Sequence, residues 1–387
     1  MNKQLSLIFC VACMILSGCA WRYVYRPPDN QNEIHYCKTV DDWDIALYRY
    51  KPTAQNPAAC PVILCHGLGN NNYLWDNDRG HSFAAYLRDR GHDVWVIAFR
   101  GAGKSMKPGI IGLSKLIEIR SVKEERITYH PHKLNWNIED YIEKDLPAAI
   151  AYVKAETGKE KVNCIGHSLG SVVICGYLER FGPRHVNAVV TMAMAVIFPK
   201  PLNAVLQRVE RHDKIISASL LLNSRAAALF EVPVGGKIET DTDALLFNME
   251  NMDRELLARY LSNGVEDISM GVAHQYINIL KAGENISADG RYNYTRNLNL
   301  ITVPMLVVAG KVDNTAPPYN AIYAWAHTGS ADKTLKIFGK QDGNIIDYGH
   351  TDLIIGKYAP REVYPYVCNW LDRHPVEPAQ AARNNAP

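Results

Sequence analysis

Six short apolar runs, each bounded by loop residues, constrain this chain more than any other feature of its sequence. They occupy 61–65, 93–99, 161–165, 186–192, 305–309 and 334–338. Runs of this length, apolar on both faces and rich in Val, Ile and Leu, suit the interior of a parallel sheet covered by helices. The stretches 82–90, 138–156 and 359–373 repeat their apolar residues at helical spacing and supply such a cover. Strand and helix in alternation predict an α/β architecture.

The rhythm breaks once. Between the fourth and fifth runs, 196–297 contains helical patterns at 202–216, 218–230, 243–263 and 270–282 and no convincing strand. An insertion of roughly a hundred residues is a subdomain, not a loop. The expected division is therefore a core of 35–195 and 298–374 with a helical cap at 196–297. A Pro-, Ala- and Asn-rich tail at 375–387 is expected to be disordered. No internal repeat occurs.

The N-terminus carries a separate signal. Lys3 precedes an apolar run over 5–16, too short to span a bilayer as a helix and long enough for a secretory leader. It ends in Leu16-Ser17-Gly18-Cys19, which resembles the lipobox of bacterial lipoproteins. The resemblance implies removal of 1–18, acylation of Cys19 and a polar tether at 19–34. Membrane attachment through Cys19 then needs no spanning helix, since each buried methylene contributes about 0.8 kcal/mol. Ala20 stands where an Asp would imply retention in the inner membrane, so the resemblance favours the outer membrane of a bacterial envelope. A net charge of +2 over 387 residues, with both signs interspersed, gives no bulk attraction for nucleic acid.

Nine cysteines match no metal-ligand spacing. Cys65 and Cys164 fall within apolar runs, where a thiol acts as a small apolar side chain. Cys37 and Cys60 could pair in an oxidising periplasm.

Gly166-His167-Ser168-Leu169-Gly170 has the pattern G-x-S-x-G, directly after the third run and before a helical stretch at 171–180. In that context the pattern marks a serine raised on a tight strand-to-helix turn, whose glycines let neighbouring chains pass close. A serine hydroxyl needs a base to take its proton and a carboxylate to orient that base. Gly310-Lys311-Val312-Asp313 follows the fifth run and Tyr348-Gly349-His350 follows the sixth, so three loops converge at the carboxyl edge of the sheet. Ser168, Asp313 and His350 are the candidate triad. Asp332, Asp342 and Asp347 are lesser candidates for the acid, and His327 and His374 for the base. Backbone N–H groups of Leu68, in His66-Gly67-Leu68-Gly69, and of Leu169 are the candidate oxyanion donors.

Two other patterns are set aside. Gly101-Ala102-Gly103-Lys104-Ser105 lacks the glycine a phosphate-binding loop requires, since Ala98 occupies that place. Arg100-Gly101-x-Gly103-x-Ser105 is instead expected to form a structural turn. His130-Pro131-His132 has no suitably spaced third metal ligand, and no metal or organic cofactor is expected.

Taken together, these residues resemble the α/β-hydrolase superfamily. The acid lipases of gastric and lysosomal type are the nearer likeness, and the polyhydroxyalkanoate synthase and depolymerase group the more distant. The likeness covers 66–105, 145–170, 304–317 and 350–364; the cap matches poorly. It implies an α/β-hydrolase fold and carries Ser168, Asp313, His350, Leu68 and Leu169 over one by one. Acid lipases usually have Gln after the nucleophile, where this chain has Leu169; the polyester synthases use a Cys nucleophile, where it has Ser168. Carboxylic ester hydrolysis on an ester or lipid substrate is the leading expectation. Phospholipid cleavage or acyl transfer with the same triad, and a non-catalytic binding scaffold, are the alternatives. Oligomeric state is not legible.

Overall fold

The computed structural model of the protein describes residues 20–54, 59–108, 129–130, 135–202, 207, 221–222, 224–232 and 241–375. The leader, Cys19, His132, most of the helical pattern at 202–216 and the tail from 376 lie outside these residues.

Each of the six apolar runs forms a strand, and two further strands precede them. The strands are β1 (Glu33–Lys38), β2 (Asp44–Tyr50), β3 (Val62–Cys65), β4 (Val94–Ile97), β5 (Val162–His167), β6 (Val186–Met192), β7 (Met305–Gly310) and β8 (Lys333–Phe338). They make one sheet in the order β1-β2-β4-β3-β5-β6-β7-β8. Only the β1–β2 and β2–β4 pairs are antiparallel; β4–β3, β3–β5, β5–β6, β6–β7 and β7–β8 are parallel. Every residue of β3, β4, β5 and β7 is buried. Alternation along a strand divides them between two cores: Ile63 and Cys65 face the side of Trp43 and Trp95, while Val62 and Leu64 face that of Trp75 and Trp370.

Helices cover both faces. They are α1 (Phe83–Asp89), α2 (Leu146–Thr157), α3 (Leu169–Phe181), α4 (Pro318–His327) and α5 (Ala359–Asp372). Ser82 caps α1 by accepting the Ala85 N–H, and Gly158 ends α2 in the left-handed region at φ 67°.

The 100–105 turn is structural, as expected. Arg100 is buried and donates to Asp145 at 2.6 and 2.9 Å and to Asp41 at 3.0 Å. Ser105 donates to the Ala98 carbonyl at 2.5 Å and accepts the Ala46 N–H at 2.8 Å, tying the end of β4 to β2.

Four features depart from the sequence expectations. The cap contains strand pairing: Leu221–Leu222 pairs antiparallel with Ile268–Ser269, a two-residue ladder too short to show any periodicity. The core is interrupted before α2, where Lys107–Pro108 pairs with Tyr129–His130. The described part of the 19–34 segment is no free tether. Residues 20–24 are helical, Asn263 donates to the Tyr25 carbonyl at 2.9 Å and Asn30 donates to Asp76 at 2.6 Å. Finally, Cys37 and Cys60 are free, buried thiols, as are Cys65, Cys164, Cys175 and Cys368.

Candidate active site

Ser168 sits between β5 and α3 with φ 53° and ψ −118°, a conformation that costs a non-glycine residue about 1–3 kcal/mol. Its neighbours explain how the strain is held. The Ser168 N–H donates to the Met192 carbonyl at 2.8 Å. Ser171 donates to the Gly166 carbonyl at 2.7 Å and accepts the Met192 N–H at 3.1 Å. A Cβ at Gly166 would lie 2.5 Å from the Ser171 nitrogen, and one at Gly170 would collide with the backbone of Cys65 and His66. Both glycines of the motif are therefore required by close backbone approach. Ser171, adjacent to the motif, escaped the sequence reading because its partners lie on β5 and β6.

Asp313 and His350 come together from loops after β7 and β8. His350 Nδ1–H donates to Asp313 Oδ2 at 2.8 Å, with both side chains almost wholly buried. The other carboxylate oxygen accepts the Thr315 and Ala316 N–H groups at 2.8 and 2.7 Å. That arrangement fixes the proton on Nδ1 and leaves Nε2 as the basic nitrogen. The loops themselves touch, since a Cβ on Gly310 would collide with the Tyr348 and Gly349 carbonyls. Asp352 braces the His350 loop: its carboxylate accepts the Gly349 and Asn248 N–H groups, each at 3.0 Å, and Asn251 Nδ2 at 2.8 Å.

His167, next to Ser168, has its ring 4.7 Å from that of His350, tilted by 58°, and donates from Nε2 to the His350 carbonyl at 3.1 Å. Burial, with the nearby His350 second, pushes its pKa well below the usual 6.5. It is a neutral strut between the serine turn and the histidine loop. His66 has a parallel role. Its Nε2 accepts the Phe99 N–H at 3.1 Å, so its Nδ1–H donates to the Gly67 carbonyl at 2.9 Å. Burial lowers its pKa to about 4.

The lesser candidates lie elsewhere. His374 and Asp332 pair with each other at 3.0 Å, Asp332 lying just before β8. His327 stacks on Tyr323 at the exposed end of α4. Asp347 accepts the Lys340 N–H, and Asp342 is the nearest acid to Lys311.

Leu68 and Leu169 both line a crevice that is also walled by Gly67, Tyr141, Glu266 and Ile268; Ser168, Asp313 and His350 are not among its lining residues. Among the described residues neither leucine N–H has a protein acceptor, as expected for Leu169 in the first turn of a helix. The loop carrying Leu68 is held from the cap: the Glu266 N–H donates to the Gly69 carbonyl at 2.8 Å and Asn70 donates to the Tyr260 hydroxyl at 2.7 Å. Asn71 donates to the Asn263 carbonyl at 2.7 Å and to Glu266 Oε1 at 2.9 Å. Glu266 is buried, which by itself raises a carboxyl pKa; Lys107 and then Arg225, each 3.3 Å away, outweigh burial and hold it at about 2. None of the contacts from the cap to the Leu68 loop has a sequence signature, because each joins residues more than 150 positions apart.

A serine on a strained turn, an oriented imidazole and two free amides can together support nucleophilic attack on a carbonyl. Comparison with known proteins agrees in fold. The model of the alpha/beta hydrolase fold family matches residues 61–357. A probable lipase of Schizosaccharomyces pombe is 31% identical over 145 residues, covering 36% of this chain and 29% of that one. Rat gastric triacylglycerol lipase is 29% identical over 143 residues, 35% of this chain and 32% of that one. These matches thus span about a third of the relatives' length. An esterase from Exiguobacterium antarcticum superposes with a TM-score of 0.55 at 17% identity, over 87% of this chain and 98% of that one.

Proposed function

Because the chain belongs to the alpha/beta hydrolase fold family, we propose that it is a serine hydrolase cleaving carboxylic esters through an acyl-enzyme on Ser168. The observation that carries this is the buried 2.8 Å Asp313–His350 pair, one strut away from a serine held at φ 53°. The relatives named as lipases support an ester of a fatty acid as the substrate class. In this mechanism Ser168 Oγ attacks the ester carbonyl carbon as His350 Nε2 takes its proton. Asp313 keeps the imidazolium oriented and offsets its charge. The oxyanion is received by the Leu68 and Leu169 N–H groups, and losing one such donor typically costs about 10²–10³ in turnover. Collapse expels the alcohol, which takes the proton from Nε2. Water, deprotonated by the same nitrogen, then releases the acid and restores Ser168.

By the same token we infer acylation of Cys19 and attachment to a bacterial envelope membrane, probed by metabolic labelling with a fatty-acid analogue and its loss in Cys19→Ser. The test of the chemistry is fluorophosphonate labelling together with an aryl ester series of increasing acyl length. Wild type is expected to label and turn over, and Ser168→Ala to do neither while keeping its melting temperature. Full activity in Ser168→Ala would remove Ser168 from the mechanism. Products from glycerophospholipid vesicles, run in parallel, separate phospholipid cleavage from simple ester hydrolysis.

A further inference from the structure

We propose that the crevice beside Ser168 faces the membrane surface that holds Cys19, so that the ester is drawn from the same leaflet as the anchor. The substrate half rests on the ester hydrolase reading above and the anchor half on acylation of Cys19; the orientation itself comes from residues 20–30. A free tether of fifteen residues would reach about 50 Å and leave the domain unoriented. This segment is instead fixed to the domain almost from its start.

Residues 20–24 are helical, and the rings of Trp21 and Tyr25 stack at 5.9 Å and pack against the core cluster that includes Leu256, Leu257, Tyr260 and Leu261. Asn263 donates to the Tyr25 carbonyl at 2.9 Å and Arg259 to that of Arg26 at 3.0 Å. Further on, Asn30 donates to Asp76 and its carbonyl accepts from Arg88 at 3.1 Å. The cap residues that grip this segment belong to the helical stretch that holds the Leu68 loop, through Tyr260 to Asn70 and Asn263 to Asn71. Arg22 lies close enough to help hold down the pKa of Glu266, which lines the crevice. The chain therefore leaves the domain beside the 256–263 stretch of the cap, whose continuation at Glu266–Ile268 walls the crevice, one peptide link from Cys19.

The free side of this helical turn suits a bilayer surface. Tyr23 is 82% exposed and Val24 61%, two of the most exposed large apolar side chains among the described residues. A tyrosine belongs at headgroup depth, where its ring and hydroxyl are both satisfied. With acyl chains inserted at Cys19, Tyr23 and Val24 lie at that depth, and the cap stretch that grips them leads on to Glu266 and Ile268 in the crevice wall. The turn before β5 lies at the amino ends of the parallel strands, away from the cap contacts of Tyr25 and Arg26, and Glu160 there has a side chain 93% exposed.

The test uses the full acylated chain reconstituted in vesicles of phosphatidylethanolamine and phosphatidylglycerol. The fluorophore NBD is attached through Tyr23→Cys or, separately, Glu160→Cys; the described native cysteines are all buried. Val24→Cys serves as a second proximal position. Quenching by doxyl-labelled lipid is expected to be several-fold greater at 23 and 24 than at 160. Equal quenching at both ends, or greater quenching at 160, overturns the orientation, and failure of the chain to float with vesicles overturns the anchor. Fluorophosphonate labelling of the same samples is read independently. Its loss sinks the hydrolase reading, while the quenching pattern still decides which end meets the lipid.

Discussion

At the scale of single residues, Asp313 shows how three hydrogen bonds choose a tautomer. One carboxylate oxygen is committed to the Thr315 and Ala316 N–H groups and the other to His350 Nδ1. An amide in its place keeps its oxygen on the backbone donors and turns its NH₂ toward Nδ1. The imidazole must then carry its proton on Nε2, where it cannot accept one from Ser168. Asp313→Asn is therefore expected to fold normally and to lose on the order of 10⁴ in kcat, measured on an aryl ester beside its thermal melt. A second residue-scale prediction concerns Glu179 on α3, a buried carboxyl with no cation paired to it among the described residues. Burial raises its pKa to about 9, Tyr292 offsetting part of that. A carboxyl whose folded pKa is raised stabilises fully below its unfolded value, near 4.5. That contribution is lost as pH rises toward 9. Wild type should melt at progressively lower temperature from pH 5 to pH 9, and Glu179→Gln should flatten that dependence; unchanged slopes would show that the carboxyl is not buried as described.

At the scale of elements, the cap is a clamp on the loops that carry Leu68, Asp313 and His350. Its 241–248 segment accepts from Asn314 and Thr315 beside Asp313, and accepts the Thr351 N–H beside His350. Its 260–266 segment holds the loop of Leu68. The tightest point is Glu266, between Lys107 and Arg225. Removing one partner of a buried ion pair typically costs about 3–5 kcal/mol, because the other charge is left unpaired. Glu266→Leu should lose stability on that order in urea, together with kcat/KM. Glu266→Gln, which retains acceptors for Asn71 and Gly103, should lose less of both.

The same scale explains what the sequence could show. Strands β3 to β7 were legible because a strand buried on both faces must be largely apolar. In β1, Glu33, His35 and Lys38 interrupt every apolar run, so an edge strand left no such trace. The placement of Ser168, Asp313 and His350 at one sheet edge was legible because each follows a strand. Tyr260, Asn251 and Glu266 were not, since their roles exist only through contacts with loops far away in the chain.

At the scale of the whole molecule, opposing titrations set the pH range of stability. Burial raises Asp352 to about 6, Asn251 and the Gly349 N–H only partly compensating. Its stabilisation, like that of Glu179, is present in acid and lost as pH rises through the folded value. Glu266 acts in the opposite sense, losing its contribution as pH falls through about 2. The maximum is expected on the mildly acidic side of neutrality.

The sheet is open, and its outer strands β1 and β8 each present a row of peptide groups to which another copy could add. On β8 the lysines stand guard. Lys333 caps the Thr328 carbonyl at 3.2 Å, and Lys336 lies over the Phe338 ring at 5.0 Å. Stacking one molecule's flank on another's would force these ammonium groups out of water, so the margin of the fold opposes edge-to-edge addition. Replacing both by valine should leave the melting temperature nearly unchanged and yield growing light scatter at rest, as copies polymerise flank to flank.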